Sequence, residues 1–587
     1  MGVPSLFREV VTKHKDVHFW KNDFKVDYFF WDFNGIIYEM AAKMEMPYNS
    51  ANNSKFEDKL IKLIIKETKN MITKISPNKM VYIAIDGPAP KAKMIQQRWR
   101  RYKAIKFDRY KNEVYNKYNL KYQKGWDTRK ISPGTNFMWK LNNFMRNSIQ
   151  SNKIYNKTGA KFIFSSSNVP GEAEHKFLDI IRNNDFTDAD NIVIYSKDGD
   201  LIPLSLGLQK KNVYVLRPVG SDETYLNYDV SKMCYLSMDK YREAHIQEMG
   251  FNDVNNNNTN RLIYDYIFLL SLGGNDFVQP INFLRIKDKG LPKILRAYQE
   301  IRVHHDDYLV SINNNEIQIN SQFLKDLMFK FAGSEEFYLK KMRLSFDGKK
   351  NRGLNDRQIA QEMDKEPYEI ELSRFEHMEV FMEEHPLHHE FKNDFYKLDF
   401  KKPMSEWRNK YYEMVFGLKT DDSNYDSQIN TICHNYLLSL AFTINYYIIG
   451  VPSWSYFYPY IAAPLATDFS KYLSSLDNIN DVIKFNLDKP YKPFEQLMMI
   501  YPPELKQLLP TQLRKLMTNS TSSTIQYYPV DFEMDYIIGR KYIYSEPKLP
   551  IIDDNVLIPE IKKLEKTFDD KENERNQLIL QPEEFLL

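Results

Sequence analysis

A chain of 587 residues holds material for three or four domains at roughly 100–200 residues each, and 43% hydrophobic and 14% aromatic content supplies ample core. A net charge of only +3 excludes a globally basic nucleic-acid binder, so any such site must be a local patch. Two distant cysteines, Cys234 and Cys433, exclude a disulfide framework and a cysteine-based zinc site and fit a reducing compartment.

The N-terminal stretch "MGVPSLFREVV" lacks the apolar core of a signal peptide, and Leu6 breaks the myristoylation pattern that Gly2 begins. The most apolar segment, "YLLSLAFTINYYIIG", is interrupted by Ser, Thr and Asn and reads as a buried helix. The expectation is a soluble intracellular protein without a membrane partner. Between residue 26 and about 220, short β-rich runs alternate with helical stretches: "DYFFWDFNG", "MVYIAIDG", "KFIFSSS", "NIVIYSKDGD" and "NVYVLRP". That alternation predicts a parallel sheet in an α/β domain. Helical periodicity follows to about residue 300. "NDVNNNNTN" (252–260) and "SINNNEIQIN" read as surface loops, and the charged stretch 340–395 as a linker or excursion. The chain turns helical and aromatic again from about 400, and the last thirty residues read as an exposed tail. The division expected is 1–335, a variable segment 336–395, a helical region 396–560 and a tail 561–587.

Acids recur where the strands end. Asp32 closes the first strand, Asp86 the second, and Asp198 and Asp200 follow "NIVIY". A strand-end Asp taken alone is most often a turn or cap residue, but ligands of open parallel sheets bind outside the carboxyl ends of the strands, where these four would converge. Glu172 and Glu174 flank one residue after a Pro-Gly turn at a helix start. Asp276 sits in the tight, apolar "GGND" turn, and an Asp in such surroundings is paired or metal-bound. Converging carboxylates need cations, and oxygen donors without Cys or His favour Mg²⁺ or Mn²⁺. Two such ions can activate water against a phosphodiester.

Directly after Asp86 comes "KAKMIQQRWRRYK". At about 100° per residue, Lys93, Gln97, Arg100 and Arg101 fall within an arc of roughly 100°, with Ala92, Ile95, Trp99 and Tyr102 opposite. Its ordinary reading is a solvated basic face. Beside the carboxylates it reads as a cradle for a terminal phosphate, near a helix N-terminus that also favours anions.

These motifs resemble the Xrn family of 5′→3′ exoribonucleases, relatives of the flap endonucleases. The matching stretches are "MGVPSLFR", "WDFNGIIY", "AIDGPAPKAKMIQQRWRRYK", "ISPGTNFM", "NVPGEAEHK", "YSKDGDLIPLSL" and "LGGNDF". Later come "WRNKYYEMVFG", "YYIIGVPSWSYFYPYIAAP", "PFEQLMMIYPPELKQLLP" and "YYPVDFEMDY". The resemblance implies a PIN/flap-nuclease-like α/β domain with a largely helical second region. It implies that Asp32, Asp86, Glu172, Glu174, Asp198, Asp200 and Asp276 hold two Mg²⁺ or Mn²⁺ ions, and that Lys93, Gln97, Arg100 and Arg101 bind the 5′-monophosphate of single-stranded RNA. Processive release of nucleoside 5′-monophosphates in mRNA decay, a cytoplasmic monomer, and decapping factors as partners complete the implication. Tyr38 replaces a family His that stacks on the terminal base; its stacking partner is Trp454 or Tyr456, a choice the sequence leaves open. Lys197 and Gly199 vary the "SKDGD" motif without removing an acid. Two rivals share the acids: a flap-type DNA nuclease, disfavoured by the missing helix-hairpin-helix signature, and a catalytically inactive RNA-binding scaffold.

Overall fold

The computed structural model describes residues 11–21, 23–151, 159–217, 233–249, 259–350, 362–376, 398–536 and 541–586. The "MGVPSLFR" motif and most of the asparagine run lie outside them. The five predicted strands form: β2 (Tyr28–Asp32), β3 (Met80–Ala84), β4 (Lys161–Ser165), β5 (Ile192–Tyr195) and β6 (Val213–Arg217). They are mutually parallel in the order β6-β5-β2-β3-β4. β7 (Cys234–Ser237) runs antiparallel to β6, β1 (His18–Trp20) antiparallel to β7, and β12 (Glu583–Leu586) antiparallel to β4.

The strands read as continuous apolar runs because both faces of the sheet are covered. Phe30, Tyr82 and Ile194 point into one core, shared with helices from the second half of the chain. Phe29, Trp31, Val81, Ile83 and Val193 point into another, under the helices Asn53–Ile75 and Asn136–Gln150. Chain order advances from β2 through β3 to β4 on one side, then jumps to β5 and β6 on the other. The reversal falls at β2, where a doubly wound sheet opens its crevice. Among the described residues no helix is long and apolar enough to cross a membrane.

Three expectations about organisation are corrected. "SINNNEIQIN" is a hairpin, β8 (Val310–Asn313) against β9 (Glu316–Ile319), not a loop. Asn314 and Asn315 both take positive φ, 50° and 62°, as a two-residue hairpin turn demands. The boundary at 335/336 falls inside one helix, Ser321–Lys350. Within the supposed excursion, Phe375 is fully buried and stacks on Tyr110 with ring centroids 4.0 Å apart. It joins Tyr542 in a small core next to a second pairing, β10 (Met534–Asp535) with β11 (Glu546–Pro547). The last residues are no exposed tail: β12 extends the sheet, Glu583 takes two hydrogen bonds from Arg146, each 2.6 Å, and buried Arg575 donates to the Gly134 carbonyl. Edge pairing satisfies the backbone without an apolar run, so a charged composition disguised it.

Candidate active site

Register sets the stage. Asp32 pairs alongside Ala84, and Ala84 alongside Ser165, so the residues just beyond these strand ends emerge at one level. The Asp86–Pro88 turn and the Val169–Gly171 turn are zipped by Gly87 N–H to the Gly171 carbonyl (2.9 Å) and Gly171 N–H to the Pro88 carbonyl (2.8 Å). A Cβ on Gly87 would stand 1.7 Å from the Val169 oxygen, so the approach requires glycine. This zip brings Glu172 and Glu174, at the start of the helix Ala173–Asn183, beside Asp86. The Ala173 N–H donates to Asp86 Oδ1 at 2.9 Å. Asp276 arrives from the other side, on a turn that Gly274 (φ 91°) opens and Asn275 Oδ1 closes by accepting the N–H groups of Phe277 and Val278.

The seven acids thus lie close enough to act on one another's charge. Burial pushes the Asp32 carboxyl well above its ordinary value, with repulsion from Asp86 and Asp198 adding to it. Burial and then Glu172 raise Asp86 to about 6; burial and then Asp198 raise Asp200 to about 7. Glu174 is pushed well up by burial and by Glu172, Asp200, Asp86 and Asp32. Asp276 differs from these four: burial is outweighed by the Lys93 ammonium, the N-terminal charge and Arg100, and its carboxyl is lowered.

Lys93 departs from its expected place. Its Nζ lies 2.5 Å from Glu172 Oε2 and 2.8 Å from Asp276 Oδ2, inside the carboxylate crevice. As the side chains lie, no three acids among the described residues form a chelating group, and this ammonium is the charge that joins two of them. The donor set nevertheless fits hard divalent ions: oxygen ligands only, crowded enough that their charged forms need a cation.

Arg101 lies near Tyr38 and Arg100. Its guanidinium donates to Ser132 Oγ at 2.7 Å, lies over the Tyr501 ring at 5.5 Å and is electrostatically coupled to Tyr38. Arg100 is exposed and acts on both Tyr38 and Asp276. Gln97 is half-buried and within 3.5 Å of Gln496. Tyr38 is 44% exposed. Of the two candidates for the ring opposite Tyr38, Tyr456 is committed to the core: it packs on Phe442 and Phe485 and donates to the Asn435 carbonyl. Trp454 is half-buried, and its carbonyl accepts the Lys91 N–H at 2.7 Å, so part of the helix N-terminus expected to favour phosphate is already capped.

The back of the basic helix (Lys91–Lys117) is also corrected. Besides Ala92 and Tyr102, it buries Lys91, Arg98 and Lys103. Arg98 donates to the carbonyls of Pro550 and Tyr527, Lys103 to those of Ile543 and Ser545, and Lys91 to that of Ile552 and to Asp554. Buried cations are tolerable when their donors are satisfied.

Sequence reasoning missed the residues that hold the acids. Ser196 donates to Asp32 Oδ2 (2.8 Å), and Asn34 donates its side-chain N–H to Asp86 Oδ2. Lys176 is buried behind Asp86, donates to the Ile85 and Ser166 carbonyls, and is lowered to about 7, chiefly by burial. Tyr446, from the helix Tyr425–Ile448, donates to Glu172 Oε1 at 2.5 Å. "WDFNG" and "GEAEHK" carried Asn34 and Lys176 within the motifs themselves. Tyr446 had no local signal.

Family comparison completes the picture. Residues 1–219 match the model for the XRN 5′-3′ exonuclease N-terminus, and residues 256–582 that for the Xrn1 helical domain. The helical match begins well before the expected boundary at 335. The chain is 27% identical to 5′-3′ exoribonuclease 1 of Homo sapiens, with 98% of this chain and 35% of that protein aligned. It is 26% identical to 5′-3′ exoribonuclease 2 of Arabidopsis thaliana (95% and 64%) and 23% identical to 5′-3′ exoribonuclease 1 of Saccharomyces cerevisiae (98% and 44%). It therefore spans between about one third and two thirds of the length of these relatives. With an α/β nuclease-type sheet, a helical second half and both family models matched in order, the chain belongs to the Xrn 5′-3′ exonuclease family.

Proposed function

We propose that this chain is a 5′→3′ exoribonuclease that shortens single-stranded RNA from a 5′-monophosphate, dependent on divalent metal and processive. The observation that carries the reading is the convergence of seven acids at the switch point of the sheet beside Arg100, Arg101 and Tyr38. The relatives' names carry the direction and the RNA substrate.

Arg101 and Arg100, with Gln97, receive the terminal phosphate; the forked guanidinium suits its paired oxygens. Tyr38, standing next to both arginines, stacks on the first base, with Trp454 the remaining candidate for a second ring because Tyr456 is held in the core. Asp32, Asp86, Glu172, Glu174, Asp198, Asp200 and Asp276 would hold Mg²⁺ or Mn²⁺. Bound there, two ions would supply an activated water and a stabilised leaving oxygen. Asn34, Ser196 and Tyr446 fix the carboxylates by donating hydrogen bonds to them. Lys93 neutralises Glu172 and Asp276 and stands ready to meet a phosphate oxygen that enters between them. A cytoplasmic monomer acting after a decapping factor is the setting proposed.

The test is product analysis on 5′-monophosphorylated RNA labelled at either end. Mononucleotides released first from the 5′ label, with long intermediates scarce, support the reading. Loss of the 3′ label first, internal cuts, or equal rates on 5′-hydroxyl RNA overturn it. A flap DNA substrate in parallel tests the DNA-nuclease reading.

A further inference from the structure

One segment from the second half of the chain packs against the basic helix beside its phosphate-reading side chains: the helix Pro493–Ile500 and the residue after it, Tyr501. We propose that Tyr501 is a positioning residue for 5′-end selection, holding the Arg101 guanidinium in the pose that receives the terminal phosphate. The proposal rests on the exoribonuclease reading, in which Arg101 meets that phosphate.

The local sequence fixes where the Tyr501 ring points. Pro493 opens the helix, Glu495 accepts the Lys492 N–H at 2.7 Å, and every residue of this helix is buried, in a core shared with Ala89, Met94 and Ile105. The Tyr501 N–H closes the last turn on the Leu497 carbonyl at 3.0 Å. Pro502 follows and confines Tyr501 to extended backbone, observed at φ −91° and ψ 134°. The Tyr501 hydroxyl donates to the Arg129 carbonyl at 2.7 Å, and Arg129 is itself held by Asp127 and Asp108. With backbone and hydroxyl both tied, the wholly buried ring is fixed, and the Arg101 guanidinium lies 5.5 Å from its centroid. Ser132 completes the grip. Its hydroxyl hydrogen goes to the Arg129 carbonyl at 3.0 Å, so its oxygen is left to accept from Arg101 Nη2 at 2.7 Å. Arg101 Nη1 donates to the Gln97 carbonyl at 3.1 Å. Each Nη has then given one of its two hydrogens, and the second of each can serve a phosphate oxygen. The same helix aims Gln97. Gln496 Oε1 accepts the Ala89 N–H at 2.7 Å. That turns the Gln496 amide nitrogen toward Gln97 Oε1, 3.5 Å away, and leaves the amide nitrogen of Gln97 to donate. An arginine without these contacts would lose rotamer freedom only on meeting the phosphate, and that cost would fall on 5′-end selection rather than on hydrolysis.

The experiment compares kcat/KM on 5′-monophosphorylated and 5′-hydroxyl RNA of one sequence, using the full chain. The variants are Tyr501→Leu, Tyr501→Phe, Ser132→Ala, Arg101→Ala and Tyr501→Leu with Arg101→Ala. Tyr501→Leu and Ser132→Ala should each lower the preference for the phosphorylated end by roughly three- to tenfold. Tyr501→Phe keeps the ring and should stay within about twofold of the parent. The double variant should fall no further than Arg101→Ala alone, because Tyr501 acts through that guanidinium. Both RNA ends are offered to the same preparation, so an unfolded share of any variant cancels from the ratio. The proposal is overturned if Tyr501→Leu slows both ends equally, or if its loss adds in full to that of Arg101→Ala. A preference unchanged in both Tyr501→Leu and Ser132→Ala overturns it as well. Competition binding of 5′-phosphorylated against 5′-hydroxyl oligonucleotide in EDTA repeats the comparison without hydrolysis. The same non-additive loss there, in a chain that shortens no RNA, would keep the positioning role and remove the nuclease reading. A parent without end preference in either assay removes both.

Discussion

The carboxylate crevice and the basic helix stand side by side, yet they reach their positions by different routes. In the crevice, each acid sits within a few residues of a strand end or a glycine turn. Backbone topology alone brings them together, and side-chain hydrogen bonds from Ser196, Asn34 and Tyr446 only aim them. The basic helix is placed instead by long-range side-chain contacts: Arg98 and Lys103 reach carbonyls more than four hundred residues along the chain. A function built on strand ends tolerates change around it, whereas one built on such anchors depends on the second half of the chain.

The largest effect should come from the crevice itself. Replacing Asp198 and Asp200 together by Ala should lower RNA shortening by about a thousandfold or more while RNA binding persists. Retained hydrolysis in Mg²⁺ by the purified double variant would sink the metal assignment.

Two arginines one turn apart sharpen the contrast. Arg101→Ala should cut the preference for 5′-monophosphate over 5′-hydroxyl RNA by roughly ten- to a hundredfold with little loss of melting temperature. Arg98→Ala should leave that preference alone but destabilise by about 2–4 kcal/mol, because two carbonyls lose their donor. Denaturant titration and competition between the two RNA ends separate the cases. Exchanged outcomes would mean that the helix turns Arg98, not Arg101, toward the RNA end.

The same contrast explains what the sequence made legible. The five parallel strands are readable because apolar runs are a local signal, and Asp32, Asp86, Asp198 and Asp200 stand out because each falls at or just beyond the end of such a run. The back face of the basic helix is not legible because helical periodicity assigns Arg and Lys to solvent, and only the partner carbonyls of residues 527, 543, 545, 550 and 552 reverse that. β12 leaves no apolar signal because an edge strand is stabilised through its backbone. The helical arc places Lys93 with the phosphate-binding cations, but the approach of Asp276, set by the fold, draws it among the acids.

A smaller effect separates Tyr446 from its ring. Tyr446→Phe keeps the packing on Phe277 and His175 and removes only the hydrogen bond to Glu172. A bond to a charged acceptor is worth about 1.5–3 kcal/mol, so the rate should fall roughly tenfold and the Mn²⁺ half-saturation should rise, with the KM for RNA unchanged. Mn²⁺ binding followed by electron paramagnetic resonance gives the second readout; unchanged binding and rate would show that Glu172 needs no such anchor.

The smallest effect concerns pH without metal. Asp86 and Asp200 titrate near 6 and 7 in the folded chain, raised above about 4 for an unfolded Asp. A raised carboxyl binds its proton more tightly when folded, so its stabilising contribution is full below about pH 4 and is lost as pH rises through 6 to 7. In EDTA the melting temperature should therefore decline by a few degrees between pH 5.5 and 8. Added Mg²⁺ should reverse the trend, since the ions favour the ionised acids and their binding releases protons. Lys93→Gln should steepen the metal-free decline, because the ammonium now shared by Glu172 and Asp276 would be gone. A melting temperature independent of pH in EDTA, in parent and variant alike, would mean that the acids do not share one crevice, and the contrast with the basic helix would lose its electrostatic half.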